Sequence, residues 1–227
     1  MGSMMLKQTK AHDKHNADLL AILPLNAERI IEVGCSTGAL AREYKKLNPK
    51  CNYIGIDIDP DYAKLAERYC DSTLAIDIER IPEDIFISLF PSDCWIFGDT
   101  LEHFHDPWSV LTRIRKMISQ SGCISACIPN AQHWSVQARL NSGNFVYEEV
   151  GLLDKTHLRW FTRTTMLNLF NDCGFRVEVI IPRIFYEPGR DKVMSAVRAM
   201  AISIGSDPER AAIDAMPIQY VIRAAPI

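Results

Sequence analysis

The sequence predicts an α/β fold in which a doubly wound, mostly parallel sheet carries helices on both faces. Short apolar strands alternate with helix-forming stretches between residues 30 and 125, which is the pattern of successive βαβ units. A glycine-containing turn joins the first strand to the first crossover helix. A carboxylate, Asp57, ends the second strand about 20 residues later, where a nucleotide-binding, Rossmann-like sheet needs one.

Composition favours one domain and excludes several classes of protein. The chain has 227 residues, of which 48% are hydrophobic, enough for a sizeable core. We expect residues 13–227 to form that domain, after a tag remnant and flexible N-terminus at 1–12. The net charge of −3 gives no broad attraction to nucleic acid, and no apolar run approaches the ~20 residues of a membrane span.

The seven cysteines are scattered, odd in number and contain no C-x-x-C pair. This pattern favours reduced thiols over a disulfide framework or a structural zinc site. The start of the chain also lacks the apolar core of a signal peptide. We therefore predict a cytoplasmic location. The oligomeric state is left open.

The first half of the chain is predicted from apolar spacing and β-branched content. A helix at 13–23 has Leu19, Leu20 and Leu23 on one face and ends before Pro24. Strands are predicted at 30–33, 53–58, 74–77 and 94–97, and helices at 39–47 and 60–69. The carboxyl ends of parallel strands meet at one edge, so the polar residues that end them are expected to form a site there.

The second half begins with a helix at 107–119, whose apolar residues are spaced for one buried face, and a strand at 123–129. Residues 130–160 have little periodicity and are predicted as a loop or lid on the acceptor side of the site. A helix at 162–173 and a strand at 175–181 follow. A helical excursion at 188–216, interrupted near Gly205, leads to an antiparallel last strand at 218–224.

The turn from Gly34 to Gly38 matches two known motifs. It fits the G-x-S-x-G nucleophile elbow of α/β-hydrolases, with Ser36 as nucleophile. Read together with Glu32 it fits E-x-G-x-S-x-G, the first motif of class I S-adenosylmethionine (SAM) methyltransferases, with serine at the usual middle glycine. The dinucleotide pattern G-x-G-x-x-G fits badly, because Ser36 and Ala39 replace its last two glycines.

Residues 13–175 resemble class I SAM-dependent methyltransferases, in particular the broad group containing ubiquinone-pathway and polysaccharide-cluster enzymes. Six short segments in the correct order carry the resemblance: IIEVGCSTGAL, YIGIDIDPDYA, AIDIE, DCWIFGDTLEHFHDP, GCISACIPN and LDKTHLRWFT. The resemblance implies SAM as cofactor and S-adenosylhomocysteine (SAH) as product. It implies the following cofactor-binding residues: Glu32, Gly34, Cys35, Ser36, Gly38, Asp57, Ile58, Asp77, Ile78, Asp99 and Leu101.

The acceptor is expected to be a small molecule or a sugar, methylated on a hydroxyl, and not a nucleic acid. Aromatic faces with hydrogen-bonding groups suit such a ligand. The acceptor-binding candidates are His103, His133, Trp134, Tyr147 and Arg159. His157 is the best candidate for a general base, since an unperturbed histidine titrates near ~6.5.

No catalytic metal is predicted. Asp99, Glu102 and His103 would share one helical face if this turn were helical, and some methyltransferases with E-x-x-E-H at this place bind a divalent ion. Asp99 is a shorter arm than the first glutamate of that motif, however, and many relatives with L-E-H hold no metal. We therefore expect activity to survive EDTA.

Two other functions stay open from the sequence. A catalytically inactive SAM-binding or interaction protein would have the same cofactor motifs. A serine hydrolase that uses Ser36 is the remote alternative. In that fold the nucleophile turn follows several strands and an upstream oxyanion loop, whereas one helix precedes this turn.

Overall fold

The computed structural model describes residues 13–227, so the predicted tag remnant and flexible N-terminus at 1–12 lie outside the described residues. The strands are β1 (Arg29–Val33), β2 (Asn52–Asp57), β3 (Ser72–Ala75), β4 (Cys94–Gly98), β5 (Cys123–Pro129), β6 (Phe175–Arg183) and β7 (Gln219–Pro226). The helices are α1 (Ala17–Ala21), α2 (Ala39–Leu47), α3 (Pro60–Ala66), α4 (Glu83–Ser88), α5 (Pro107–Met117), α6 (Trp134–Asn141), α7 (Arg163–Asp172), α8 (Arg190–Ser203) and α9 (Pro208–Ala215).

The described strands form one sheet in the order β3-β2-β1-β4-β5-β7-β6. Strands β1 to β5 pair in parallel, and β7 runs antiparallel between β5 and β6. The predicted fold class, a mostly parallel sheet with an antiparallel last strand, is confirmed. The chain runs outward from β1 to β3 and then returns to β4. The strand order therefore reverses between β1 and β4, where sheets of this kind bind ligands.

Hydrophobic side chains cover both faces of the sheet. Ile31, Trp95 and Phe97 belong to one buried cluster, together with residues of α5 and α7. Ile30 and Ile96 belong to a second cluster, which contains residues of α1 and α2. Successive residues of a strand point to opposite faces, so neighbours such as Ile30 and Ile31 enter different clusters. The prediction of helices on both faces is confirmed.

The structure corrects several predicted elements. Residues 130–160 are not loop throughout, because α6 lies within them, and α4 was missed. Strand β3 ends at Ala75, so Asp77 lies in the following turn and does not end the strand. Helix α1 is shorter than predicted because the side chain of Asn16 accepts hydrogen bonds from the amides of Asp18 and Leu19 and caps it there.

The C-terminal helical excursion has the predicted break. α8 and α9 are separate helices, and Gly205 between them has a φ of 72°.

None of the helices that the structure describes is long and apolar enough to cross a membrane. All seven cysteines are unbridged and buried.

Candidate functional site

The glycine turn between β1 and α2 is held in a conformation that ordinary residues avoid. Gly34, Ser36 and Gly38 have φ values of 76°, 48° and 75°, in the left-handed region. The amide of Gly34 donates to the carbonyl of Ile56 at 2.8 Å. A Cβ atom on Gly34 would lie 2.5 Å from Oγ1 of Thr100. The turn therefore lies close to β2 and to the end of β4, which leaves room only for glycine at its start.

Asp57, at the end of β2, joins the glycine turn to the start of α3. Its Oδ2 accepts the amide of Ser36 at 2.8 Å, and its Oδ1 accepts the amide of Asp59 at 2.9 Å. The residue is buried, and burial raises the pKa of its carboxyl group. Each carboxylate oxygen has a second lone pair, so each can still accept a hydroxyl. The next residue, Ile58, is 49% exposed and presents an apolar surface beside the carboxylate.

Glu32 and Cys35 lie below the turn. Both are buried, and the hydroxyl of Tyr53 donates to Oε2 of Glu32 at 2.9 Å. Burial, with a smaller contribution from the charge of Asp57, raises the pKa of Glu32 to about 8 even though the Tyr53 hydrogen bond lowers it. Burial also raises the pKa of the Cys35 thiol. These residues support the turn from the protein interior.

Asp77 and Ile78 lie in the turn after β3. Oδ1 of Asp77 accepts the amide of Glu79 at 3.0 Å, and Arg80 Nε lies 3.6 Å from its Oδ2. Ile78 is buried in the core. The carboxylate of Asp77 thus shapes its own turn, and it remains partly exposed at the same sheet edge as Asp57.

Asp99 follows β4 with a φ of 52°, outside any helix, and its carboxylate accepts a hydrogen bond from the side chain of Gln219. A short 3-10 helix, Leu101–His103, begins only after it. The predicted helical face shared by Asp99, Glu102 and His103 is therefore absent. The side chain of Leu101 is fully buried in the core.

A cluster of titratable groups includes two residues of this 3-10 helix. Glu102, His103 and His157 each present one potential ligand atom, all within 4.8 Å of one another. Nδ1 of His103 lies 3.1 Å from the carbonyl of Thr156, and Nδ1 of His157 lies 3.2 Å from the carbonyl of Leu152. Burial, followed by the charge of His103, lowers the pKa of His157 to about 4. The sequence did not group His157 with Glu102, because the two residues are 55 positions apart in the chain and only the fold joins them.

Aromatic rings extend from this cluster along the 130–160 segment. The centroids of His157 and Trp160 are 6.0 Å apart, those of Trp160 and Phe145 5.4 Å, and those of Phe145 and Tyr147 6.0 Å. Tyr147 is 59% exposed. The ring centroids of His103 and His157 are 4.9 Å apart, so among the predicted acceptor residues the structure joins His103 and Tyr147 through one row of rings.

The other predicted acceptor residues lie in different surroundings. His133 is buried, and its Nε2 lies 3.0 Å from a carboxylate oxygen of Glu187, to which Trp134 Nε1 also donates at 2.8 Å. Arg159 donates through Nε to the carbonyl of His105 at 3.0 Å. These three residues hold α6 and the 154–160 segment in place.

Sequence reasoning missed three residues of the site. Thr100 donates to the carbonyl of Val33 at 3.0 Å and packs on Gly34. Tyr53 holds Glu32, and Gln219 holds Asp99. Thr100 could have been found, since it lies only two residues after the end of β4. The other two act across strands that are distant in sequence, which no local pattern reveals.

Residues 31–124 match the family model of a methyltransferase domain. Solved structures of methyltransferases share this fold. A SAM-dependent methyltransferase from Thermotoga maritima is 15% identical, with a TM-score of 0.59 over 91% of this chain and 84% of that one. The magnesium protoporphyrin IX methyltransferase of Synechocystis, solved with bound SAH, is 11% identical, with a TM-score of 0.59 over 93% and 80%. These findings confirm the resemblance to class I SAM-dependent methyltransferases.

A third structure, the mitomycin 7-O-methyltransferase, is 14% identical with a TM-score of 0.57. The match covers 92% of this chain but 52% of the mitomycin enzyme, so the chain spans about half the length of that relative. No curated protein matches the chain. At these identities the structural likeness establishes the fold.

Proposed function

We propose that the chain binds SAM at the glycine turn and transfers its methyl group to a hydroxyl of a small-molecule or sugar-type acceptor. The observation that carries the proposal is the link between the turn and Asp57. A buried carboxylate accepts the amide of Ser36 within a turn of positive φ, at the point where the strand order reverses. This is the place and the chemistry that a ribose and its attached chain need.

The residues present fit the proposed cofactor. Asp57 retains acceptor capacity for ribose hydroxyls, and the exposed Ile58 beside it suits an apolar ring face. The backbone of Gly34 to Gly38 can approach a ligand closely, because most of the turn carries little or no side chain. When bound, SAM supplies an activated methyl group on a sulfonium sulfur.

The contribution of the protein is then mainly proximity and alignment. Residues of the turn and of β2 would hold the donor, and the aromatic row from His157 to Tyr147 would hold the acceptor beside it. Aromatic faces with polar neighbours suit a sugar or a phenolic ring. Methylation of a hydroxyl is supported by the resemblance to an enzyme whose name describes O-methylation.

A general base role for His157 has less support than the sequence suggested. The pKa of about 4 makes this imidazole a weak base at neutral pH. We therefore do not assign the base role to His157.

We place the protein in the cytoplasm, which seven unbridged, buried cysteines support.

The remaining alternatives predict different observations. A serine hydrolase would need a base beside Ser36, and among the described residues no histidine hydrogen-bonds to its hydroxyl. An inactive SAM-binding protein would bind SAM and SAH but would transfer no methyl group to any candidate acceptor. A screen of sugars, phenols and nucleotide-linked glycans with radiolabelled SAM separates that case from the enzyme.

The direct test of the proposed function is titration calorimetry with SAH. We expect one SAH per chain, and Asp57→Ala should weaken binding by about 1–3 kcal/mol because a buried hydroxyl loses a charged acceptor. The exposed Asp61, in the first turn of α3, gives a matched control, and Asp61→Ala should bind normally. Circular dichroism checks that Asp57→Ala is folded. Undiminished affinity in folded Asp57→Ala would refute the assignment.

A further inference from the structure

The carboxylate of Glu102 is buried without a hydrogen-bond partner. The residue is 1% exposed, and neither Oε1 nor Oε2 has a partner among the residues that the structure describes. Its nearest cationic candidate, His157 Nε2, lies 3.9 Å from Oε1, beyond hydrogen-bond distance. Burying such a group without compensation costs several kcal/mol. The described protein groups therefore do not supply the partner that an ionised carboxylate at this position would need.

The two histidines beside it are oriented in the same way. His103 and His157 each have Nδ1 within 3.2 Å of a backbone carbonyl, that of Thr156 and that of Leu152 respectively. A carbonyl is only an acceptor, so in each ring Nδ1 carries the hydrogen and Nε2 keeps a free lone pair. Histidine ligands of metals are characteristically fixed through the opposite ring nitrogen in this manner.

We infer that Glu102, His103 and His157 form a binding site for one divalent first-row transition metal ion, of which Zn²⁺ is the best fit. Two imidazole nitrogens and one carboxylate are a common ligand set for catalytic zinc, and they leave a coordination position open. Their ligand atoms lie within 4.8 Å of one another. Ligands of one tetrahedral zinc ion are about 3.3 Å apart, so small side-chain rotations would close the site.

The backbone around the cluster is already fixed for such a site. The amides of Leu158 and Arg159 donate to the carbonyl of Glu102 at 2.8 and 2.9 Å, which holds the segment after His157 against the 3-10 helix. Oδ1 of Asp154 accepts from both the amide and the hydroxyl of Thr156, which orients the carbonyl that anchors His103. The ligands therefore come from two segments that hydrogen bonds hold together.

This ligand set differs from the one considered in the sequence. Asp99 is outside the group, because it precedes the 3-10 helix and contacts Gln219. His157 is the third ligand instead of Asp99. The short side chain of Asp99 is therefore no longer an argument against a metal site. The expectation that the chain needs no metal is replaced by the opposite proposal.

The role of the ion rests on the proposed function. Asp99 and Thr100 connect the end of β4 to the 3-10 helix, at the edge where the methyl group would be presented. The hydroxyl oxygen of an acceptor would occupy the open coordination position and lose its proton to solvent more readily. That oxygen then bonds to the methyl carbon while the carbon–sulfur bond breaks and its electron pair stays on sulfur, which gives a methyl ether and neutral SAH.

The test is metal binding by the full chain, stripped with a chelator and titrated with Co²⁺ by visible absorption and with Zn²⁺ by competition. We expect one ion per chain. Glu102→Gln and His157→Ala should each weaken binding at least about 100-fold, because even loss of an outer partner of a metal ligand costs 10–100-fold. His105→Ala is the matched control, an exposed histidine on the same segment, and should bind the ions normally.

SAH calorimetry on the same samples separates this proposal from the proposed function. Glu102→Gln should bind SAH as the unmodified chain does, which also demonstrates that it is folded. Failure of the unmodified chain to bind Co²⁺ and Zn²⁺, or equal affinity in folded Glu102→Gln, would overturn the metal site. Absence of SAH binding with normal metal binding would instead overturn the proposed function and leave the metal site standing.

Discussion

At the scale of single residues, the clearest feature is a carboxyl group that keeps its proton in the folded protein. Glu32 is buried under the glycine turn, where the hydroxyl of Tyr53 donates a hydrogen bond to its carboxyl group. Burial raises its pKa from 4.5 to about 8. In the unfolded chain the same group ionises near 4.5. Glu32 therefore links folding to proton uptake.

We predict that Glu32 makes the protein less stable as pH rises. Between the unfolded pKa and about 8, the folded state holds a proton that the unfolded state has released, so the free energy of unfolding falls as pH rises through this window. The contribution is on the order of 5 kcal/mol, since the pKa rises from 4.5 to about 8 and each unit of pKa difference is worth about 1.4 kcal/mol. Urea unfolding at pH 5, 6, 7 and 8 measures it.

Glu32→Gln should remove this part of the pH dependence and be more stable than the unmodified chain at pH 8. The amide keeps the size of the side chain and can still accept from Tyr53. Glu28→Gln, at an exposed position directly before β1, is the matched control and should leave the slope unchanged. An identical slope in Glu32→Gln would show that this carboxyl group ionises normally in the folded state.

The sequence predicted the parts of the site that depend on local spacing. Gly34 directly follows β1, Gly38 ends the same turn, and Asp57 is the last residue of β2. A strand end is visible in the sequence as a change from apolar residues to glycine or acid. The partnership of Glu102 with His157 was not predictable in this way. It depends on how the 154–159 segment folds back onto the 3-10 helix, which is a tertiary contact.

At the scale of elements, the start of α7 is specified by its own sequence. The hydroxyl of Thr162 accepts the amide of Thr165, and the hydroxyl of Thr165 accepts the amide of Thr162. This capping box satisfies two backbone donors at the helix end. The helix packs Met166 and Phe170 into the core, so its start also fixes the segment that carries His157.

We predict that Thr162→Ala lowers the free energy of unfolding by about 1 kcal/mol, the usual cost of removing an N-cap side chain. Thr164→Ala, two residues further along the same helix at an exposed position, should change it by less than about 0.5 kcal/mol. Urea unfolding of the three proteins in parallel makes the comparison. Equal stability of Thr162→Ala and Thr164→Ala would mean that the capping box contributes nothing measurable.

Elements were predicted well where they have a strong period and poorly where tertiary contacts define them. α2 was placed at its observed bounds because good helix formers run from a glycine to an Asn-Pro pair. α6 was missed because its polar side chains obscure the helical period and only Val136 is buried. Its position depends on Trp134 and His133 reaching Glu187, a contact that crosses 53 positions of sequence from Trp134.

At the scale of the whole molecule, the proposed cofactor site is formed by residues at the ends of three neighbouring strands. The glycine turn follows β1, Asp57 ends β2 and Asp99 follows β4. A ligand held by all three can bind only when the sheet is formed. Binding should therefore stabilise the folded chain as a whole, and not one loop.

We predict that SAH at 100 times its dissociation constant raises the unfolding temperature by roughly 5–11 °C. Such an excess stabilises the folded state by about 2.7 kcal/mol, and each kcal/mol moves the midpoint of a chain of this size by about 2–4 °C. Differential scanning fluorimetry with increasing SAH measures the shift. At the same SAH concentration the shift should be smaller in Asp57→Ala than in the unmodified chain, and Asp61→Ala should show the same shift as the unmodified chain. A midpoint that does not move with SAH would contradict the proposal that this sheet edge binds the cofactor.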